Sequence, residues 1–229
     1  MRIEFLVEDA SGKILLNKIM EKYSSETQAF GIEYNIQSYK GIGGFGKGSN
    51  ASDIKSQQLL NDLPKRMKAI QAKYYGVSNV SIFVVLDNDT RRTEEFRVQL
   101  NETAVRENIS MDYVFCIAVE EMEAWLLGDI NAMRSAYPDV SDRIISKHSG
   151  YMQDSICGTW ECLADILTKG GISKFKKKNP TPFDVGRNKA EWADKIGNKM
   201  EIRNNVSPSF RRLLEELDKR RDAYMNSGT

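Results

Sequence analysis

The chain reads as an α/β protein: a mostly parallel sheet flanked by helices, with a helical C-terminal portion. Three observations predict this. Residues 80–86 (VSIFVVL) and 113–119 (YVFCIAV) are almost wholly apolar, the pattern of strands buried on both faces of a parallel sheet. Strand-like and helical runs alternate through the first half, as βαβ units do. After Glu120 the character changes, and the segments that follow read as helices joined by polar, glycine-bearing loops.

Each element has its own signal. Residues 2–7 (RIEFLV) are a short run rich in strand formers, and Ser11 can cap a helix carrying Ile14, Leu15, Ile19 and Met20 at helical spacing. Residues 32–39 (IEYNIQSY) alternate apolar and polar, the mark of a half-buried strand. A glycine-rich loop follows, Gly41-Ile42-Gly43-Gly44-Phe45-Gly46-Lys47-Gly48. A helix is expected over 52–75, with Ile54, Leu59, Leu60, Leu63, Met67 and Ile70 along it, and another over 91–107. Helices are then expected over 121–127, 131–137, 159–167, 188–198 and 208–224. Gly170-Gly171 and residues 174–182 (KFKKKNPTP) break the pattern and read as an exposed loop. This divides the chain into an α/β core over 1–128, a helical portion over 129–225 packed on it, and a disordered tail over 226–229.

Composition excludes several classes. Hydrophobic residues make up 41% and charged ones 28%, the balance of an ordinary globule. Lys and Arg number 33 against 32 acids, so a net charge of +1 gives no global pull toward nucleic acid, and any such contact needs a local basic patch. The first residues are too short and too acidic for a signal peptide, and no apolar run approaches bilayer length. A cytoplasmic, reduced setting with no membrane partner is expected. Cys116, Cys157, Cys162 and His148 would just make a four-ligand zinc set, but Cys116 lies in an apolar strand, where a free cysteine behaves as a small core residue.

Ligands of open α/β sheets gather at the carboxyl ends of the strands. The first expected strand ends in Glu8-Asp9, the third in Asp87-Asn88-Asp89, and the fourth in Glu120-Glu121-Met122-Glu123. Three strands thus deliver carboxylates to one edge. On an extended strand end, Asp87 and Asp89 at i and i+2 would point the same way and chelate one hard cation such as Mg²⁺ or Mn²⁺. The same residues also fit a turn with an Asx cap. Clustered acids repel one another unless a cation neutralises them, which favours the metal site.

These features resemble Toprim domains, in which a strand ends in a glutamate and a later buried strand runs into D-x-D. The closer similarity is to small bacterial Toprim-like proteins related to nucleases of the overcoming-lysogenization-defect type. The residues that carry it are Glu121-Met122-Glu123-Ala124-Trp125, Lys189-Ala190-Glu191-Trp192-Ala193 and Ser207-Pro208-Ser209-Phe210, and it spans Ile3 to about Leu217. The resemblance implies a Mg²⁺-dependent phosphoryl-transfer site that cuts nucleic-acid phosphodiesters. Glu8 would then be the first-strand acid, Asp87, Asp89, Glu121 and Glu123 metal ligands, and Lys189 the cation that neutralises charge developing on the phosphate. One departure is Gly12, where the nuclease relatives often carry a second acid. The other class in view is a non-catalytic partner that binds nucleic acid or a protein such as an ATPase, in a defence or maintenance system.

A rival reading starts from the glycine loop. Gly41-x-x-x-x-Gly46-Lys47 fits most of a P-loop, but Gly48 stands where the Mg²⁺-holding Ser or Thr belongs, and the loop follows the second strand. Gly43, Gly44, Gly46 and Lys47 are better read as a loop that meets phosphate through backbone N–H groups. Lys174, Lys176, Lys177 and Lys178 would add a patch gripping the nucleic-acid backbone, and a solvated loop explains them equally well.

Overall fold

In the computed structural model, which describes residues 1–26, 31–41 and 59–227, four strands form one sheet: β1 (Arg2–Val7), β2 (Glu33–Ser38), β3 (Val80–Asp87) and β4 (Asp112–Ala118). Their order is β2-β1-β3-β4 and every neighbouring pair is parallel. The crossovers carry α1 (Ala10–Glu26), α2 (Leu59–Lys73) and α3 (Thr93–Arg106).

The period-2 alternation of a strand sorts its residues between two cores. Phe5, Val7, Phe83, Val85, Cys116 and Ala118 face the larger core, where the Phe5 and Phe83 rings lie 5.3 Å apart. Leu6, Ile82, Val84, Leu86, Phe115 and Ile117 face the smaller one, with the apolar residues of α2 and α3. This is why the β3 and β4 runs contain almost no polar residue. Burying each of the larger side chains among them, such as Phe83 or Leu86, stabilises the fold by about 1.5–3 kcal/mol.

The remaining helices are α4 (Glu123–Leu127), α5 (Ile130–Ala136), α6 (Ser141–His148), α7 (Thr159–Leu167), α8 (Gly171–Lys178), α9 (Pro182–Lys199) and α10 (Pro208–Ser227), with 3-10 turns at Pro138–Val140 and Ile202–Asn204. Their buried side chains, among them Trp192, Ile196 and Phe210, join the larger core directly. α9 packs on α1, α4 and α5, and α10 lies against β4. This docking brings the C-terminal helices to the strand ends. Among the described residues no helix is long and apolar enough to cross a membrane.

Several expectations are corrected. Residues 174–182 are not a loop: α8 runs through Lys178 and α9 begins at Pro182. Phe175 and Gly171 bury α8 against its neighbours, a tertiary contact that overrides the glycine pair. α9 starts six residues before the expected 188, because Thr181 and Asp184 form a capping box and Pro182 occupies the first turn. α6 was not anticipated at all. α10 continues through Ser227, past the expected start of the tail at 226. Of the helix expected over 52–75, residues 52–58 lie outside the described residues.

Candidate functional site

β1, β3 and β4 end side by side, and the backbone ties their ends together. Glu8 N–H donates to Val85 O (3.2 Å), Asn88 N–H to Ala118 O (3.2 Å) and Asp89 N–H to Glu120 O (3.1 Å). Asn88 is fully buried; its amide accepts from Glu120 N–H and donates to Arg91 O and Thr93 Oγ1, both at 2.8 Å. The residue between the two aspartates therefore fixes the spacing of the β3 and β4 loops. Asp89 (φ 48°) and Glu120 (φ 61°) both adopt left-handed backbone, which is costly for residues with a Cβ and found where a loop is tightly specified.

Four of the expected acids meet there. Asp87 shares the sheet face of Phe83 and Val85, the face on which α1 and α10 pack. The Glu8 carboxylate accepts from the Asp87 N–H at 3.1 Å. After β4 the chain turns into α4, carrying Glu121 and Glu123 inward. The Lys189 ammonium lies 3.1 Å from Glu121 Oε1 and 3.2 Å from Glu123 Oε2, with those side chains 16%, 20% and 5% exposed respectively. Asp87 Oδ1 and Glu121 Oε2 are buried and have no hydrogen-bond partner.

One ammonium stands against four carboxyls, and their protonation follows. Burial pushes Glu8 up to about 7, assisted by the charges of Asp89 and Asp9 and opposed by the Asp87 N–H and Lys189. Burial likewise lifts Glu121 to about 7, against Lys189 and with Glu123 and Glu120. Burial, then Glu8 and Glu123, drive Asp87 well above the usual carboxylate range. Burial works against a charged Lys189, but Glu123, Glu121 and Asp87 outweigh it and hold its pKa above that of an ordinary lysine. The lysine is charged, and the surplus carboxyls hold protons up to neutral pH.

Not every expected site residue joins the cluster. The strand ends at Asp87, so the i, i+2 alternation does not reach Asp89, whose half-exposed side chain pairs with Arg91 at 2.7 Å. Glu120 caps α7, accepting from Gly158 N–H (2.9 Å), Thr159 N–H (2.7 Å), Cys157 N–H (3.3 Å) and the Thr159 hydroxyl. These bonds, foremost that of the Thr159 hydroxyl, overcome partial burial and hold its carboxyl below the usual range. Lys176 sits over the Trp160 ring, 5.4 Å from its centroid, and Lys177 is exposed in the last turn of α8. Gly43, Gly44, Gly46 and Lys47 lie outside the described residues. Their flanks are placed: Gly41 N–H donates to Glu8 O (3.1 Å), and Leu59 N–H to Gly41 O (3.0 Å). The four-ligand zinc arrangement is not formed: Cys116 is core, where burial raises its thiol to about 12, and His148 Nε2 bonds Leu127 O at 2.8 Å.

Sequence reasoning missed two supports. Asp9 caps α1, accepting from Gly12 N–H (2.7 Å) and the Ser11 hydroxyl. Gly12 is required by packing, since a Cβ there would lie 2.7 Å from both Met122 Sδ and Val7 Cγ2. The position that lacks an acid is one where no side chain fits. The other motif residues are structural. Trp125 is fully buried, donates to Ser209 Oγ at 2.8 Å and meets Phe210 edge-on, so the segment after β4 packs on the Ser-Pro-Ser-Phe element.

Fold and site together define a parallel α/β protein with a buried, lysine-bridged carboxylate cluster at the carboxyl ends of its strands. Residues 7–218 match the family described as domain of unknown function (DUF4276), and the chain belongs to that family. No curated protein and no solved structure matches it.

Proposed function

We propose that the cluster is a divalent-cation site for phosphoryl transfer on nucleic acid, most directly the cutting of phosphodiesters by a Toprim-like, cytoplasmic protein. The observation that carries this reading is the gathering of four carboxyls from three strand ends around one lysine, which bridges Glu121 and Glu123 and whose charge acts on Glu8 and Asp87, with Asp87 Oδ1 and Glu121 Oε2 buried and unpartnered. As the side chains stand, no three His, Cys, Asp or Glu among the described residues are grouped to hold a metal ion. The two orphaned oxygens nonetheless belong to carboxyls that become hard anionic donors, of the kind Mg²⁺ and Mn²⁺ take, when a cation displaces their protons. Asp87 and Glu121 would hold the ion, with Glu8 beside Asp87 as the general acid/base, and Glu123 is committed to Lys189.

A bound divalent ion would polarise a phosphoryl oxygen and acidify a water. The protein's own groups do the rest. Glu8, the first-strand acid, would exchange a proton with that water. Lys189 offers a fixed positive charge to a developing oxyanion. Gly43, Gly44, Gly46 and Lys47 are assigned to the phosphates; the placed residues on either side, Gly41 and Leu59, are tied to Glu8 and to each other.

The presence of Lys189 within the cluster favours one alternative, a non-catalytic partner of nucleic acid or of a protein such as an ATPase, in which the lysine alone supplies the neutralising charge. Mn²⁺ titration by calorimetry, followed by cleavage assays on DNA and RNA strands, separates the two. Micromolar to millimolar Mn²⁺ binding lost in Glu121→Gln, with cleavage that stops on chelation, is expected. A wild-type protein that takes up no Mn²⁺ would sink the proposal.

A further inference from the structure

A cleft of about 550 Å³ opens beside Lys189, lined among others by Trp160, Lys176, Pro182, Val185 and Gly186. Pro182, Val185, Gly186 and Lys189 fall at i, i+3, i+4 and i+7 on α9, and so form one stripe. The stripe continues through Trp192, Ala193 and Ile196 into the core. Its first two turns instead face open space. Gly186 is the anomaly. Glycine is unfavourable inside a helix, and here neither a left-handed backbone nor close packing calls for it: a Cβ would meet nothing within 4 Å. The missing side chain only widens the cleft.

The opposite wall is built to stay in place. Trp160 is half-buried and leans on Phe175 (6.0 Å between centroids), which leans on Trp192 (5.5 Å). Lys176 lies over the Trp160 ring, and its nearest carboxylate is Glu161 at 3.6 Å. Both partners are exposed enough for this pair to be weak, so a phosphate can displace it. A fixed aromatic face, a glycine opposite in sequence order to no packing need, and a lysine at each side of the cleft match a nucleotide: a flat base and an anion.

We propose that this cleft takes one unpaired nucleotide of the substrate strand, its base against Trp160 and over Gly186, its phosphate between Lys176 and Lys189. The assignment rests on the phosphodiester reading above and narrows it to single-stranded or frayed substrate. The volume suits a single small ligand, within the roughly 300–1,000 Å³ of such sites. Unstacked bases are what aromatic platforms recognise.

Tryptophan fluorescence tests this in EDTA buffer, because Trp125 and Trp192 are buried and Trp160 carries the response. The probes are thymidine monophosphate, a short oligothymidylate and the corresponding oligothymidylate–oligoadenylate duplex. Saturable quenching by the first two is expected, with the duplex weaker by about tenfold or more, the equivalent of one base stack. Gly186→Leu fills the cleft without touching the fold; it should weaken binding by about tenfold or more while its melting temperature stays at or above wild type. Absence of quenching, equal binding of duplex, or unchanged affinity in Gly186→Leu would each overturn the proposal. Binding of the monophosphate alone would overturn its assignment to a strand. No divalent ion is present, so failure here leaves the Mn²⁺ result standing, and the reverse holds too.

Discussion

Replacing Asp87 by asparagine removes one repelling charge while keeping the shape of the side chain. Glu8 and Glu121 titrate near 7 against an ordinary 4.5, and Asp87 is raised in the same sense. The folded state therefore binds these protons more tightly than the unfolded chain. The cluster's own contribution to stability is fully present below the ordinary carboxylate range and is lost as pH rises through about 7. Each pH unit of difference corresponds to about 1.4 kcal/mol, so one shared proton makes the cluster cost about 3 kcal/mol at pH 8. Asp87→Asn should recover roughly half, about 1–2 kcal/mol at pH 8, and almost nothing at pH 5. At about 2–4 °C per kcal/mol for a chain this long, the melting temperature should rise by about 3–6 °C at pH 8. Thermal unfolding followed by circular dichroism in EDTA, at half-unit steps from pH 5 to 8, measures this. A variant less stable than wild type at pH 8, or a difference that does not change with pH, would refute the electrostatic reasoning. Saturating Mn²⁺ should reverse the ranking, since the wild type alone keeps the donor set proposed for it.

Lys189→Met strips Glu121 and Glu123 of their cation and should cost about 3 kcal/mol at pH 8, with a smaller loss at pH 5, below the raised Glu121; a pH-independent loss in urea unfolding would point to packing instead. Gly12→Ala should destabilise by about 1–3 kcal/mol because its Cβ meets Met122 and Val7, and an unchanged melting temperature would contradict that. Glu120→Ala should loosen the start of α7 by about 1–2 kcal/mol, seen as faster amide exchange at residues 158 and 159 than in wild type. Lys47→Ala should leave no ATPase to lose, and robust wild-type ATP turnover abolished by it would revive the P-loop reading.

The sheet was legible because β3, at its centre, and β4, at its edge, both send side chains into the two cores, which leaves two nearly unbroken apolar runs in the sequence. The convergence of Glu8, Asp87, Glu121 and Glu123 was legible for the same reason: parallel strands share a carboxyl edge, and each acid follows one. Lys189 came from the resemblance, since a helix residue far along the chain bears no local mark of what it touches. The side chain of Asp89 was misjudged because the strand stops two residues earlier, and only the left-handed turn held by Asn88 and Glu120 decides that. α8 was hidden by Gly170 and by lysines that face water, while the few residues that hold it, Phe175 above all, are too sparse to show a period. The start of α9 was signalled by Thr181-Pro182-Phe183-Asp184, a capping box overlooked because the lysine run before it read as loop.

The order in which these residues leave the ribosome differs from the order in which they need one another. Glu8, Asp87, Glu121 and Glu123 are all synthesised before Lys189 exists, and the helix bearing that lysine docks across the ends of strands made long before. During that interval the nascent α/β half carries its acids without their counter-charge. Hydrated and spread apart they cost little; brought together and dried they repel. Closure of the strand ends is thus coupled to the arrival of the C-terminal helices, and a chain cut short before residue 189 would hold its sheet together least well at the edge where its chemistry lies.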